Sequence, residues 1–106
     1  MFVRMGSFRV ASGKLEELRR VYLGECAPIV KKALGNLDCC LLESATEPES
    51  VAAWTVWETE AHAREYEASG TAQAVVGKVK HLFASAPTLQ SYRIRREPGV
   101  TAAATP

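Results

Sequence analysis

Val51-Ala52-Ala53-Trp54-Thr55-Val56-Trp57-Glu58-Thr59-Glu60-Ala61-His62-Ala63 changes its period halfway along. Val51 to Trp57 is rich in β-branched and aromatic residues and reads as a strand. Alternation puts Ala53, Thr55 and Trp57 on one face and Trp54 and Val56 on the other. Thr59 then supplies a helix N-cap, and Glu60 in the first turn suits the helix dipole. The helix that follows carries Ala63 and Tyr66 inward and Arg64, Glu65 and Glu67 outward. A strand that runs straight into a capped helix is the joint around which the other elements arrange themselves.

Upstream, Phe2 to Val10 predicts a first strand, with Arg4, Gly6, Phe8 and Val10 on one face and Val3, Met5, Ser7 and Arg9 on the other. Gly6 leaves a gap in its face, which weakens the strand or makes room for something. Ser12 is placed to cap the next segment, and apolar residues at Leu15, Leu18, Tyr22, Cys26, Ile29 and Ala33 trace one side of a helix from Lys14 to about Leu34. Pro28 lies inside that pattern and predicts a kink or break near Cys26. Leu37 to Glu43 is a second strand, and Thr46 to Ser50 is a turn. Downstream, Ser69-Gly70 interrupts the second helix. Its continuation carries Val75, Val76, Val79, Leu82 and Phe83 on its apolar side, and Pro87 ends it. Thr88 to Arg95 is the last strand. The order is β-α-β-β-α-β: an α+β, ferredoxin-like fold with an antiparallel sheet and helices on one face. Residues 1–97 form the domain and residues 98–106 a small, unpatterned tail. The second sheet face carries Val3, Met5, Trp54 and Val56, which favours cover by a second subunit over a wet face.

The 106 residues fit one domain. A net charge of +1, from 13 basic and 12 acidic side chains, lacks the basic excess of a nucleic-acid binder. No apolar run approaches the roughly 18 residues that cross a bilayer. The N-terminus shows no signal-peptide pattern, so a cytoplasmic setting without membrane partners is expected. Cys26, Cys39 and Cys40 suit neither a disulfide framework nor a zinc site, and no metal is expected. No phosphate loop or Ser-His-Asp order stands out.

Thr55-Val56-Trp57-Glu58-Thr59-Glu60-Ala61, with Tyr66 farther on and Glu67-Ala68-Ser69-Gly70 after it, resembles the antibiotic biosynthesis monooxygenase family of dimeric α+β barrels. The resemblance runs from about Phe2 to Arg95. It implies a homodimer and a pocket between the sheet and the helices. It also implies a cofactor-independent monooxygenase acting on a small aromatic, phenolic or quinol (quinone-type) ligand. Members that degrade haem carry an axial His and a first-strand Asn; the matching places here hold Val76 and Gly6, so no haem or other cofactor is expected. Two other readings stand beside this one. One is a non-enzymatic small-molecule-binding or structural dimer, and the other is an isomerase or cyclase of the same superfamily.

Within that frame Trp57 stacks on a flat substrate or packs beneath the second helix. Tyr66 hydrogen-bonds a phenol or carbonyl, and His62, one turn before it, is a candidate base or a solvated first-turn residue. Tyr22 lines the same cavity or serves as a core tyrosine. Arg4, sharing its strand face with Gly6 and Phe8, stabilises a phenolate or makes a salt bridge at the sheet edge. The catalytic candidates are therefore His62 and Tyr66, and the substrate-binding candidates are Trp57, Tyr22, Arg4, Gly6 and Phe8.

Overall fold

A computed structural model describes residues 1–96. The expected domain limit at residue 97 and the tail at 98–106 lie outside them. Four strands, β1 (Phe2–Arg9), β2 (Asn36–Glu43), β3 (Ser50–Trp57) and β4 (Thr88–Arg93), form one sheet in the order β2-β3-β1-β4. Every neighbouring pair is antiparallel. With α1 (Leu15–Val21), α2 (Ala27–Lys31), α3 (Glu60–Ala68) and α4 (Thr71–Val79), this is the ferredoxin-like α+β architecture.

The register fixes what each face carries. Phe2 lies opposite Trp57, Arg4 opposite Thr55, and Gly6 between Ala53 and Leu89. These side chains face the helices, and Phe2, Phe8, Val51, Trp57 and Cys39 join Leu18, Cys26, Val30, Val75 and Val79 in one core. The opposite face pairs Val3 with Val56 and Met5 with Trp54, and Val3 and Val56 stand outside that core cluster. Cys40 opposes Trp54, while Tyr92 opposes Val3, which places both on this second face.

One expectation about the first helix needs correction. Ser12 does not cap it: the helix begins after Lys14 with no side-chain cap, and the turn is held instead by Gly13 N–H donating to Glu49 Oε2 at 2.8 Å. The disturbance expected from Pro28 near Cys26 is present, as a change of helical hydrogen bonding and not as a break. Between α1 and α2 the chain runs through a π segment, Tyr22–Cys26, in which the Ala27 N–H reaches back to the Tyr22 carbonyl. The extra residue in that turn lets the helix axis continue past a proline that has no N–H to give. It also leaves Tyr22 and Cys26 both buried against the sheet side.

Helix α3 starts as the sequence predicts. The Thr59 hydroxyl accepts from the His62 N–H. The loop before β2 is locked to this turn: Glu58 N–H donates to the Gly35 carbonyl at 2.8 Å. Gly35 has φ +82°, and a Cβ there would run into the His62 ring. Only glycine meets both conditions.

Candidate active site

A cavity of about 790 Å³ opens between the sheet and helices α3 and α4. Its floor is the helix-facing side of β1 and β3. Arg4, Gly6 and Phe8 come from β1, Ala53, Thr55 and Trp57 from β3. Tyr22 enters from the π segment and Tyr66 from α3. The structure thus brings together Arg4, Gly6, Phe8, Tyr22, Trp57 and Tyr66.

His62 is not among the lining residues. It sits in the first turn of α3, where its ring packs on Gly35 and Nδ1 lies 2.8 Å from Thr59 Oγ1. Spacing of four put His62 and Tyr66 on one edge of the helix, but the Gly35 loop packs on His62 while Ala63, Tyr66 and Glu67 line the cavity.

Trp57 is the rear wall. It is fully buried, and its indole N–H donates to Thr55 Oγ1 at 2.9 Å. The Tyr66 ring lies on it at 4.9 Å between centroids and an interplanar angle of 38°. The indole donor is therefore spent inside the protein, and the Tyr66 ring lies beside it at the cavity. Burial pushes the Tyr66 hydroxyl up to about 12, so it stays protonated and available as a donor at neutral pH. Tyr22 is also held neutral, by burial first and then by its contact with Cys39, whose Sγ lies 3.3 Å from the hydroxyl. Burial raises all three thiols, which are unpaired and stay protonated.

The lining is mostly apolar, with one ion pair. Arg4 donates from Nη2 to Glu67 Oε1 at 2.8 Å and from Nη1 to Ser91 Oγ at 2.7 Å, and its guanidinium carbon lies 5.4 Å from the Phe2 ring centroid. Arg4 Nε is closed to water and without a partner among the described residues. Glu67 escaped the sequence reading because its helical position points outward; only the long-range pairing with Arg4 turns it toward the site. Lys80, Phe83 and Leu89 line the other end, where Phe83 packs on Phe8 with ring centroids 3.9 Å apart. Gly6 makes this space: a Cβ there would meet Leu89 Cδ2 at 3.3 Å. No group of three or more His, Cys, Asp or Glu side chains able to hold a metal occurs among the described residues.

A ferredoxin-like sheet with a pocket under its helices and an apolar opposite face defines a class of small α+β domains. The chain belongs to the antibiotic biosynthesis monooxygenase family, whose model matches residues 1–78. It is similar to SnoaB, a cofactor-independent oxygenase from Streptomyces nogalater, at 16% identity and TM-score 0.77, covering 93% of this chain and 97% of that one. It is also similar to a monooxygenase from the ActVA-Orf6 gene of Streptomyces coelicolor, solved with nanaomycin D, at 18% identity and TM-score 0.76, covering 91% and 88%. A candidate antibiotic biosynthesis monooxygenase from Bordetella bronchiseptica aligns with TM-score 0.77 and 20% identity over 90% and 97%. At these identities the likeness is one of fold. No curated protein matches the sequence.

Proposed function

We propose that the protein is a cofactor-independent monooxygenase for a small phenolic or quinol substrate, working as a homodimer. The observation that carries the reading is the cavity itself: about 790 Å³, mostly apolar, walled by Tyr66 lying on Trp57, with one charged pair. A flat aromatic ring fits beside Tyr66, and the apolar lining keeps water from the reacting atoms. Tyr66 donates to a substrate oxygen. Gly6 and Phe8 leave room for the ring and bound its edge.

The substrate supplies the electrons. Loss of the phenolic proton gives an anion that passes one electron to dioxygen, leaving a phenoxyl radical and superoxide. Their recombination at a ring carbon makes a C–O bond. The resulting hydroperoxide loses the ring proton, its O–O bond breaks, and water leaves. One oxygen atom ends in a quinone and the other in water, so electrons and atoms balance without a cofactor.

The homodimer rests on the second sheet face, where Leu42 and Tyr92 are exposed and Met5 and Trp54 are half-buried. A two-fold contact there would remove apolar surface from water at about 25 cal/mol per Å². The competing reading, a ligand-binding dimer without chemistry, has one observation in its favour: the Trp57 and Tyr22 polar tips are engaged inside the protein.

The test is oxygen uptake with 1,4-naphthohydroquinone in chelator-treated protein, measured above the uncatalysed rate. The monooxygenase reading expects saturable uptake that Gly6→Leu suppresses while the fold survives. Saturable binding of the quinol with uptake at the background rate would support the binding-protein reading instead.

A further inference from the structure

The cavity lacks a histidine base, yet the chemistry begins with loss of a proton. We propose that Arg4 and Glu67 form the proton-accepting pole of the cavity: Glu67 Oε2 takes the phenolic proton, and Arg4 then holds the phenolate. This rests on the monooxygenase reading and assigns two of its steps.

The geometry supplies the argument. Only Oε1 of Glu67 is engaged by Arg4; Oε2 accepts no hydrogen bond among the described residues. The guanidinium has five N–H groups, and protein acceptors meet it at Ser91 and Glu67. Both members of the pair therefore have free capacity, one to accept and one to donate. The pair lies at the cavity with side-chain exposures of 28% and 41%, where its two side chains can shift by small rotations. Exposed pairs of this kind contribute little to folding stability.

Charge bookkeeping favours a phenol over a carboxylic acid as the occupant. A carboxylate would compete with Glu67 for one cation inside an apolar cavity. A neutral phenol enters without that cost. When its O–H bond breaks, the proton goes to Oε2, Glu67 becomes neutral, and the electron pair stays on the phenolic oxygen. Arg4 exchanges one anion for the other. No unpaired charge appears at any point of the transfer.

A phenol is a much weaker acid than a carboxylic acid, so the transfer to Oε2 is uphill. The Arg4 charge narrows the gap, and electron transfer to dioxygen drains the anion as it forms. The rate should consequently rise with the acidity of the phenol. The other titratable side chains lining the cavity are Tyr66 on the same helix, Tyr22 on the π segment and Lys80 after α4. Arg93, on the neighbouring strand β4, is paired with Glu60.

The experiment compares wild type with Glu67→Gln and Arg4→Met. Oxygen uptake with 1,4-naphthohydroquinone is followed as a function of pH, and the ionisation of bound 4-nitrophenol is read from its absorbance. Glu67→Gln should lose on the order of 100-fold in rate at neutral pH, the usual scale for a general base. It should approach wild type as the pH nears the quinol's own pKa, since the substrate then arrives ionised. Arg4→Met should shift the ionisation of bound 4-nitrophenol to higher pH. A structural role would give a loss independent of pH and no shift in the dye. Wild-type turnover in Glu67→Gln at neutral pH, or an unshifted dye in Arg4→Met with binding retained, overturns the proposal and leaves the cavity reading standing. Failure of both phenols to bind the wild-type protein overturns both.

Discussion

The two faces of the sheet are built from the same strands in alternation and carry different surfaces. On the helix side, Phe2, Trp57 and Phe8 pack tightly at the ends of the strands. The middle of that face is left open by Gly6 and Ala53, and the one cation of β1 that faces the helices, Arg4, stands beside the gap. On the other side, Val3 against Val56 and Met5 against Trp54 make a continuous apolar centre, with Arg9 and Asp38 toward its margins. A cavity needs missing volume and a few polar groups; an interface needs continuous apolar area. One residue of strand shift would exchange the two roles, so the register of β1 against β3 fixes both.

The largest expected effect lies on the helix side. Trp57 is fully buried, so Trp57→Ala should cost about 3–5 kcal/mol in denaturant unfolding, as truncation of a buried aromatic does. Trp57→Phe keeps most of the volume and loses the bond to Thr55, for about 1 kcal/mol. Equal losses from the two would mean that packing is not what Trp57 contributes.

The next test breaks the opposite face. Trp54→Glu should weaken the proposed dimer at least tenfold, or about 1.4 kcal/mol, in sedimentation at micromolar concentration, while ligand binding to the folded chain persists. A wild-type protein that sediments as a monomer at that concentration would remove the interface role altogether. Trp54 also has a buried indole N–H without a partner among the described residues, a further reason for the ring to repack when that face is covered.

Much of this contrast is legible in the sequence because alternation is a local property. Placing Arg4, Gly6 and Phe8 on one face and Val3 and Met5 on the other requires only a count by two. The same count put Thr55 and Trp57 over the cavity. What escaped depends on how helices sit on the sheet. His62 and Tyr66 share a helix edge, yet the Gly35 loop claims the first and the cavity the second. Glu67 reads as solvent-facing because its partner is on β1. Pro28 announces a disturbance, but nothing local says that a π segment absorbs it and carries Tyr22 to the cavity.

Smaller effects sharpen the comparison further. The Tyr66 hydroxyl titrates near 12 in the folded chain against an ordinary 10, because burial opposes its ionisation. The unfolded chain therefore releases this proton first as the pH rises. The stability held below about pH 10 should decline progressively toward pH 12, with Tyr22 acting in the same direction. Denaturant midpoints measured across that range check it, and Tyr66→Phe should flatten part of the slope.

The smallest effect belongs to the exposed pair that ties α1 to the edge strand β2. Arg19 meets Glu43 through two bonds of 2.6 and 2.8 Å, which hold the Glu43 carboxyl below its usual range. Its contribution is present at neutral pH and is lost as the pH falls through that lowered value. Glu43→Gln should cost about 0.2–1 kcal/mol, reduced by salt, with no change in ligand binding.

The central claim is that the cavity beneath Tyr66 inserts oxygen into a phenolic ring without a cofactor. The most direct measurement is turnover of 1-naphthol by chelator-treated protein under isotopically labelled dioxygen, with mass analysis of the product. The account expects one labelled atom in each quinone carbonyl newly formed and the other in water, with the yield collapsing in folded Gly6→Leu. Quinone that carries no label, or label incorporation that Gly6→Leu leaves untouched, would contradict it.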